Sequence, residues 1–294
     1  MRLKGIILKG IGGFYYVEAG DRIYATRARG LFRNEKIKPL VGDQVEIDVT
    51  SDEDSEAYIQ KILPRKSRLQ RPEVANVDQV IVTMALTNPS PNFILLDKLL
   101  ILGQYHGVRP VICLNKSDLV PPGVLEEVKR DYEATGFDVI FVSVPELTGI
   151  EDLKAVLRGK VNVFAGPSGV GKSSITNALK PGLALKVGEV SERIGRGRHT
   201  TRHTELIELP SGGFVLDTPG FSSLEILQIP KDTLKDYYPD FSEAARDCRY
   251  RDCSHINEPG CGVKEAVADR RISQNRYHGY QYIYEELKKQ KERY

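Results

Sequence analysis

Long apolar runs, cysteine and an excess of either charge are all scarce in this chain, and each scarcity removes a class of protein. No stretch approaches the roughly eighteen apolar residues needed to cross a bilayer, and Met1-Arg2-Leu3-Lys4-Gly5 leads straight into a strand-like pattern with no signal-peptide core. A cytoplasmic location without membrane attachment is the expectation. Four cysteines in 294 residues are too few for a disulfide scaffold, and three of them fall together near the C-terminus. A net charge of +2 argues against a histone-like polycation, while local basic segments remain able to meet nucleic acid. What is present is an ordinary globular balance, 28% charged and 40% hydrophobic, in a chain long enough for two or three cores.

The strongest local signal lies past the middle, at Gly166-Pro167-Ser168-Gly169-Val170-Gly171-Lys172-Ser173, followed by Ser174. A Gly, four residues and then Gly-Lys-Ser lets backbone N–H groups wrap a polyphosphate, with Lys172 on the phosphates and Ser173 on Mg²⁺. The flanks are those the motif requires, a short apolar strand at 161–165 and a helical pattern from Ser173 to Leu179.

Upstream, residues 1 to about 65 alternate short apolar runs with turn signals. Five short strands in that length predict a small all-β barrel of OB type. Such barrels bind single-stranded nucleic acid on one face, a use that would suit Phe14, Tyr15, Tyr16, Phe32, Arg27, Arg29 and Arg33. The same pattern also fits aromatics filling the barrel and arginines in solvent. Pro64 to Pro72 reads as a basic, proline-bounded linker. Beyond it, strand patterns at 77–84, 108–114, 138–142 and 160–165 alternate with helical ones, which predicts a parallel sheet covered on both faces with ligands at the C-terminal ends of its strands.

Those strand ends carry the remaining chemistry. The 108–114 strand runs into Asn115-Lys116-Ser117-Asp118, the Asn-Lys-x-Asp pattern that reads guanine. A carboxylate at Asp118 accepts from the N1–H and 2-amino group, and adenine offers no such pair, so ATP would leave it unsatisfied. Ser143, after the next strand, stands where a backbone N–H meets guanine O6. Downstream, Asp217-Thr218-Pro219-Gly220 matches Asp-x-x-Gly, with Asp217 supporting the Mg²⁺ shell and the Gly220 N–H facing the γ-phosphate. Between lies a Gly- and Arg-rich segment, Arg193 to His203, whose Thr200 or Thr201 would ligate Mg²⁺ only while the γ-phosphate is present; a mobile basic loop binding any phosphate fits it too. Guanine reading thus precedes the phosphate loop, whereas ordinary GTPases place it last. This is a circular permutation, which folding permits because only the converging strand ends matter.

Cys248, Cys253, His255 and Cys261 follow, spaced Cys-x4-Cys-x-His-x5-Cys. Three thiolates and an imidazole suit one structural, four-coordinate Zn²⁺; unrelated cytosolic thiols are the alternative. Cys113, in a strand, reads as a small hydrophobe. Helices are expected over 263–272 and 273–292, the second carrying tyrosines that either pack back or touch RNA.

This combination resembles the circularly permuted, ribosome small-subunit-dependent GTPases of RsgA type over essentially the whole chain. The resemblance implies an OB-fold domain over 1–66, a permuted α/β P-loop GTPase domain over 67–225 and a mainly helical zinc-binding domain over 226–294. It implies a monomeric GTP hydrolase acting in late maturation of the 30S subunit. The barrel and zinc modules would hold 16S rRNA, nucleotide state would control release, and the subunit would stimulate hydrolysis. His199 matches the family's candidate catalytic histidine. Arg202 stands where the family often has a third Thr, leaving open which Thr ligates Mg²⁺. Phe221 occupies the place of the water-orienting Gln of Ras-like enzymes, so slow hydrolysis by the free chain is expected. Two other classes fit parts of the pattern, a nucleotide-gated RNA clamp with incidental hydrolysis and a P-loop ATPase or kinase.

Overall fold

A computed structural model describes the chain except for residues 29–37, 52–55, 71, 184–203, 222–228 and 292–294, and for residues 51, 217–221, 290 and 291 it describes the backbone. The first five strands are β1 (Arg2–Ile11), β2 (Phe14–Ala19), β3 (Arg22–Ala28), β4 (Gln44–Ser51) and β5 (Glu56–Ile62). They pair in the order β1-β2-β3-β5-β4, and β4 returns to β1, which closes the barrel. Closure leaves no free edge among these strands. Alternate residues fill the interior, with Ile7, Val17, Tyr24, Val45, Ile47 and Ile59 all buried.

That alternation divides the aromatics between interior and surface. Tyr15 packs against the interior, whereas its neighbours Phe14 and Tyr16 point outward, under Arg27 (Cζ 4.4 Å from the ring centroid) and Lys9 (Nζ 5.1 Å). Phe32, Arg29 and Arg33 lie outside the described residues.

The basic segment from Pro64 is not a free linker. Arg65 donates to both carboxylate oxygens of Asp43, at 2.7 and 2.8 Å, where Asp43 is fully buried. β6 (Arg68–Gln70) and β7 (Glu73–Ala75) form a hairpin, and the Asn76 amide donates to the Gly42 carbonyl at 2.9 Å. A cation was needed to neutralise Asp43, and Arg65 supplies it, so proline and charge here mark a docked strap.

The central sheet contains β8 (Gln79–Ala85), β9 (Arg109–Asn115), β10 (Asp138–Val142), β11 (Val161–Ala165), β12 (Glu205–Glu208) and β13 (Phe214–Phe221), in the order β10-β9-β8-β11-β13-β12. The first five run parallel and β12 is antiparallel to β13. Helices α1 (Phe93–Tyr105), α2 (Pro122–Glu133), α3 (Ile150–Leu157) and α4 (Lys172–Leu179) connect the strands. One apolar layer holds Val80, Val82, Met84, Leu96 and Ile112, the other Ile81, Val111, Cys113, Leu153 and Ile175. Strands buried on both faces read as continuous apolar runs, as they do here. Burial pushes the Cys113 thiol up to about 12, keeping it an inert hydrophobe.

β12 also pairs with β1 through Lys9 and Glu205, so barrel and central sheet form one continuous ladder. Nothing in the sequence signalled that junction.

The last part has short 3-10 helices at Lys231–Tyr237, Pro239–Phe241 and Ala244–Asp247, then α5 (Gly262–Ala268) and α6 (Gln274–Lys291). α5 stops short of the expected 272, since Arg270 adopts the left-handed conformation at φ 61. The tyrosines of α6 divide. Tyr277 and Tyr280 are buried in a core with Phe241, Val263 and Leu287, and Tyr282 is exposed. Ile101 of α1 belongs to the same core, which docks this module on the sheet.

Candidate functional site

The phosphate loop leaves the end of β11 and enters α4, and two of its glycines are required by close approach. Gly166 has φ 142, and a Cβ there would stand 2.1 Å from the Thr83 carbonyl oxygen. Gly171 has φ 97, and a Cβ there would stand 2.2 Å from the Asn115 side-chain nitrogen. Pro167, Ser168, Gly169 and Val170 form the loop between them, and Ser173 and Ser174 lie in the uncapped first turn of α4. An uncapped helix start leaves N–H groups free for an anion. Lys172 curls beneath the loop and donates to the Gly166 and Pro167 carbonyls at 2.8 and 2.7 Å. Burial lowers its pKa.

The guanine motif is joined directly to this loop. Asn115, the last residue of β9, is buried and donates its amide N–H to the Val170 carbonyl at 2.8 Å. Its side-chain oxygen is buried with no partner, an acceptor that a polar ligand donor would satisfy. Lys116 takes a left-handed conformation and its ammonium donates to the Asn88 carbonyl. The turn Ser117–Leu119 then presents Asp118 to solvent. Two motifs about fifty residues apart are thus fixed to each other, and the donor and acceptor set fits a guanine nucleotide.

Ser143 is also buried at the end of β10, but its own groups are occupied. Its N–H donates to the Thr148 carbonyl at 3.1 Å and its hydroxyl oxygen accepts from the Glu146 N–H at 3.3 Å. It shapes the loop entering α3.

β13 runs through the Asp-x-x-Gly motif. Its pairing with β11 jumps from Leu216 to Phe221 while β11 advances only from Val163 to Ala165, so Asp217 to Gly220 stand off that ladder. Pro219 has no N–H to contribute to it. On the other side, Asp217 is directly opposite Glu205 of β12. His199, Thr200 and Thr201 lie outside the described residues.

The second constellation is in the C-terminal module. The ligand atoms of Cys248, Cys253, His255 and Cys261 all lie within 4.8 Å of one another. His255 Nδ1 is 3.6 Å from the Cys248 sulfur and 3.5 Å from the Cys261 sulfur, so Nδ1 is the ring nitrogen turned inward. Burial pushes the Cys253 thiol up to about 12 and raises Cys261 as well. A dication among them is what would favour thiolates, and the donor set fits a closed site for a soft metal ion.

The supports of this cluster escaped sequence reasoning. Tyr277 donates to the His255 carbonyl at 2.7 Å and Tyr280 to the Ser254 carbonyl at 2.6 Å. The Glu258 carboxylate accepts from the Ser254 N–H and hydroxyl and from the Ile256 N–H. Burial alone would raise that carboxyl, but these hydrogen bonds hold it down at about 2. The tyrosine spacing on α6 was visible, yet its targets are loop carbonyls that no spacing reveals.

Among known proteins, residues 62–227 match the family described as RsgA GTPase, and residues 4–59 match the RsgA N-terminal domain. A small ribosomal subunit biogenesis GTPase RsgA from Alkaliphilus metalliredigens is 50% identical, covering 97% of this chain and 98% of its own. A protein of the same description from Agathobacter rectalis is 46% identical over 97% and 98%. Of solved structures, YloQ, described as a circularly permuted GTPase, superposes with a TM-score of 0.83 at 37% identity, covering 98% of this chain and 96% of its own. YjeQ from Thermotoga maritima gives 0.83 and 37% over 98% and 99%. No helix among the described residues is long and apolar enough to cross a membrane. With the barrel, the permuted nucleotide-binding sheet and the Cys/His cluster all in place, the chain belongs to the RsgA family of circularly permuted GTPases.

Proposed function

We propose that this protein hydrolyses GTP on the small ribosomal subunit during its late maturation in the cytoplasm, with nucleotide state setting whether it stays bound. The observation that carries the guanine assignment is the Asn115 bond to Val170, which ties the guanine motif to the phosphate loop and supports one ligand shared by Asp118 and the loop. In this reading Asn115, Lys116 and Asp118 hold the base. Gly166 to Ser174 hold the phosphates, with Lys172 turning from the loop carbonyls toward them. Ser173, Asp217 and either Thr200 or Thr201 would hold Mg²⁺, which would neutralise charge developing on the phosphates. With Phe221 unable to orient water, His199 takes that part when the protein is on the subunit. The Gly220 N–H faces the γ-phosphate. Ser143 supports the base through its loop.

The metal in the Cys/His cluster is one structural Zn²⁺, because three sulfurs and one imidazole leave no open position. The barrel contacts 16S rRNA through the outward Phe14, Tyr16 and Arg27 face, and the protein works as a monomer. The domains are 1–66, 67–225 and 226–294.

Replacing Asp118 by Asn tests the base assignment: preference should move from GTP toward xanthosine triphosphate, since the amide donates to the 2-oxo group. Undiminished GTP affinity would overturn it. Turnover of His199→Ala with and without 30S subunits tests the histidine; full stimulation in the variant removes it from the mechanism.

A further inference from the structure

Lys9 stands where the barrel and the GTPase sheet meet. In β1 it is directly opposite Tyr16 of β2 on one side and Glu205 of β12 on the other. Its ammonium is 5.1 Å from the Tyr16 ring centroid and 3.1 Å from the Glu205 carboxylate. Glu205 is in turn directly opposite Asp217. One row of cross-strand partners, Tyr16, Lys9, Glu205 and Asp217, therefore runs from the outer face of the barrel to the Asp-x-x-Gly motif.

In backbone register Glu205 stands opposite Asp217, so a change at Glu205 falls on the strand pair that carries the Asp-x-x-Gly motif. At the far end of β12, Glu208 repels Glu18 of β2, which adds to burial in raising the Glu18 carboxyl. The Lys9 and Glu205 side chains are 31% and 43% exposed, so their contact is weak and open to competition from another anion. The barrel face next to Lys9 carries Phe14 under Arg27, and Tyr58, 42% exposed, directly opposite Arg27. Rings with cations over or beside them are the means by which such barrels take a single strand and its phosphates.

We propose that Lys9 is a shared cation, held by Glu205 when the barrel face is bare and drawn to an RNA phosphate when a strand lies across Tyr16, so that barrel occupancy is felt at Glu205 beside Asp217. The inference rests on the small-subunit reading above and adds the contact through which RNA and nucleotide affect each other. Linkage makes the effect reciprocal: the factor by which a nucleotide state changes RNA affinity is the factor by which bound RNA changes affinity for that nucleotide.

The test is 30S binding by the full chain with GDP and with a non-hydrolysable GTP analogue, for the unsubstituted protein, Glu205→Gln, Lys9→Gln and the double variant. Glu205→Gln frees the ammonium and should tighten binding by about two- to fivefold in the weaker-binding nucleotide state, the ceiling for a half-exposed pair. The ratio between the two states should narrow. Lys9→Gln should weaken binding and also narrow the ratio, and the double variant should match Lys9→Gln, because Glu205 acts through Lys9. A gain in affinity does not arise from damage to the fold. Unchanged affinity and ratio in Glu205→Gln, or equal tightening when Lys9 is already absent, overturns the inference while the 30S assignment stands. Absence of any 30S binding by the unsubstituted protein overturns both.

Discussion

Two modules flank the central sheet, and the charged contacts that tie them to it differ in burial. On the metal side, the guanidinium of Arg276 in α6 bonds to Asp97 of α1 and, at 2.9 and 3.1 Å, to Asp240, with Arg276 and Asp97 each only 2% exposed. Its Cζ lies 4.4 Å from the Tyr238 ring centroid and 5.2 Å from that of Tyr132. Around that centre, Ser273 and Asn275 donate to Asp131, and Lys98 pairs with Glu286. Gly279 is held to its size, since a Cβ there would stand 2.4 Å from the Asp97 carboxylate. On the barrel side, the side-chain tie to β12 is the half-exposed Lys9–Glu205 pair. Breaking a buried charge network leaves an uncompensated ion in a low dielectric, whereas breaking an exposed pair returns both ions to water. The barrel also shares a buried apolar core with the sheet, Ile6 and Leu8 packing with Val80, Leu206 and Leu216, so what is open to exchange is the exposed ion pair and not the whole junction.

The sharpest way to break this contrast is Arg276→Met. It leaves Asp97 and Asp240 buried without a cation and should cost about 3–5 kcal/mol, read as a lower urea midpoint at unchanged slope. A loss under 1 kcal/mol would make the two junctions equivalent. Next in size, Glu258→Gln releases the loop around His255 and should weaken metal retention by about tenfold in competition with a chelator. Unaltered retention would show that the carboxylate does not hold the ligand loop.

A pH series then separates the network from an ordinary ion pair. Burial raises the Asp97 carboxyl from 3.8 to about 6 despite the opposing pull of Arg276 and the Tyr132 hydroxyl. A carboxyl raised on folding contributes stability that is fully present below 3.8 and lost as pH rises through about 6. Asp97→Asn has no such term, so its deficit against the unsubstituted protein should shrink by about 1 kcal/mol between pH 5 and 7.5. A deficit that grows over this range would mean that pairing outweighs burial. The smallest effect belongs to the barrel: Lys9→Gln should change global stability by less than about 1 kcal/mol. A larger loss in thermal unfolding would make that pair a structural tie instead of an exchangeable one.

How much of this was legible depended on how far apart the interacting residues lie along the chain. The phosphate loop, the guanine turn and the four metal ligands are short patterns whose spacing reflects their chemistry. Strand alternation identified the barrel, and it also separated Tyr15 from Phe14 and Tyr16 once the pleat was known. The network at Arg276 was not legible, because Asp97 is one acid in an apolar helix and its partner is 179 residues away. The strap at 64–76 was misread for a related reason. Proline and arginine signal solvent unless a buried Asp43 is known to lie beneath them.

By itself, then, the amino-acid order determined the chemistry: a guanine nucleotide, its phosphates and a soft metal ion each demand particular atoms at short, local spacings. Only the tertiary structure decided how the three parts are joined, because Lys9 with Glu205 and Asp97 with Arg276 are pairings of single side chains brought together by distant segments. Burial then fixed the Arg276 network and left the Lys9–Glu205 pair a contact that an anion can take.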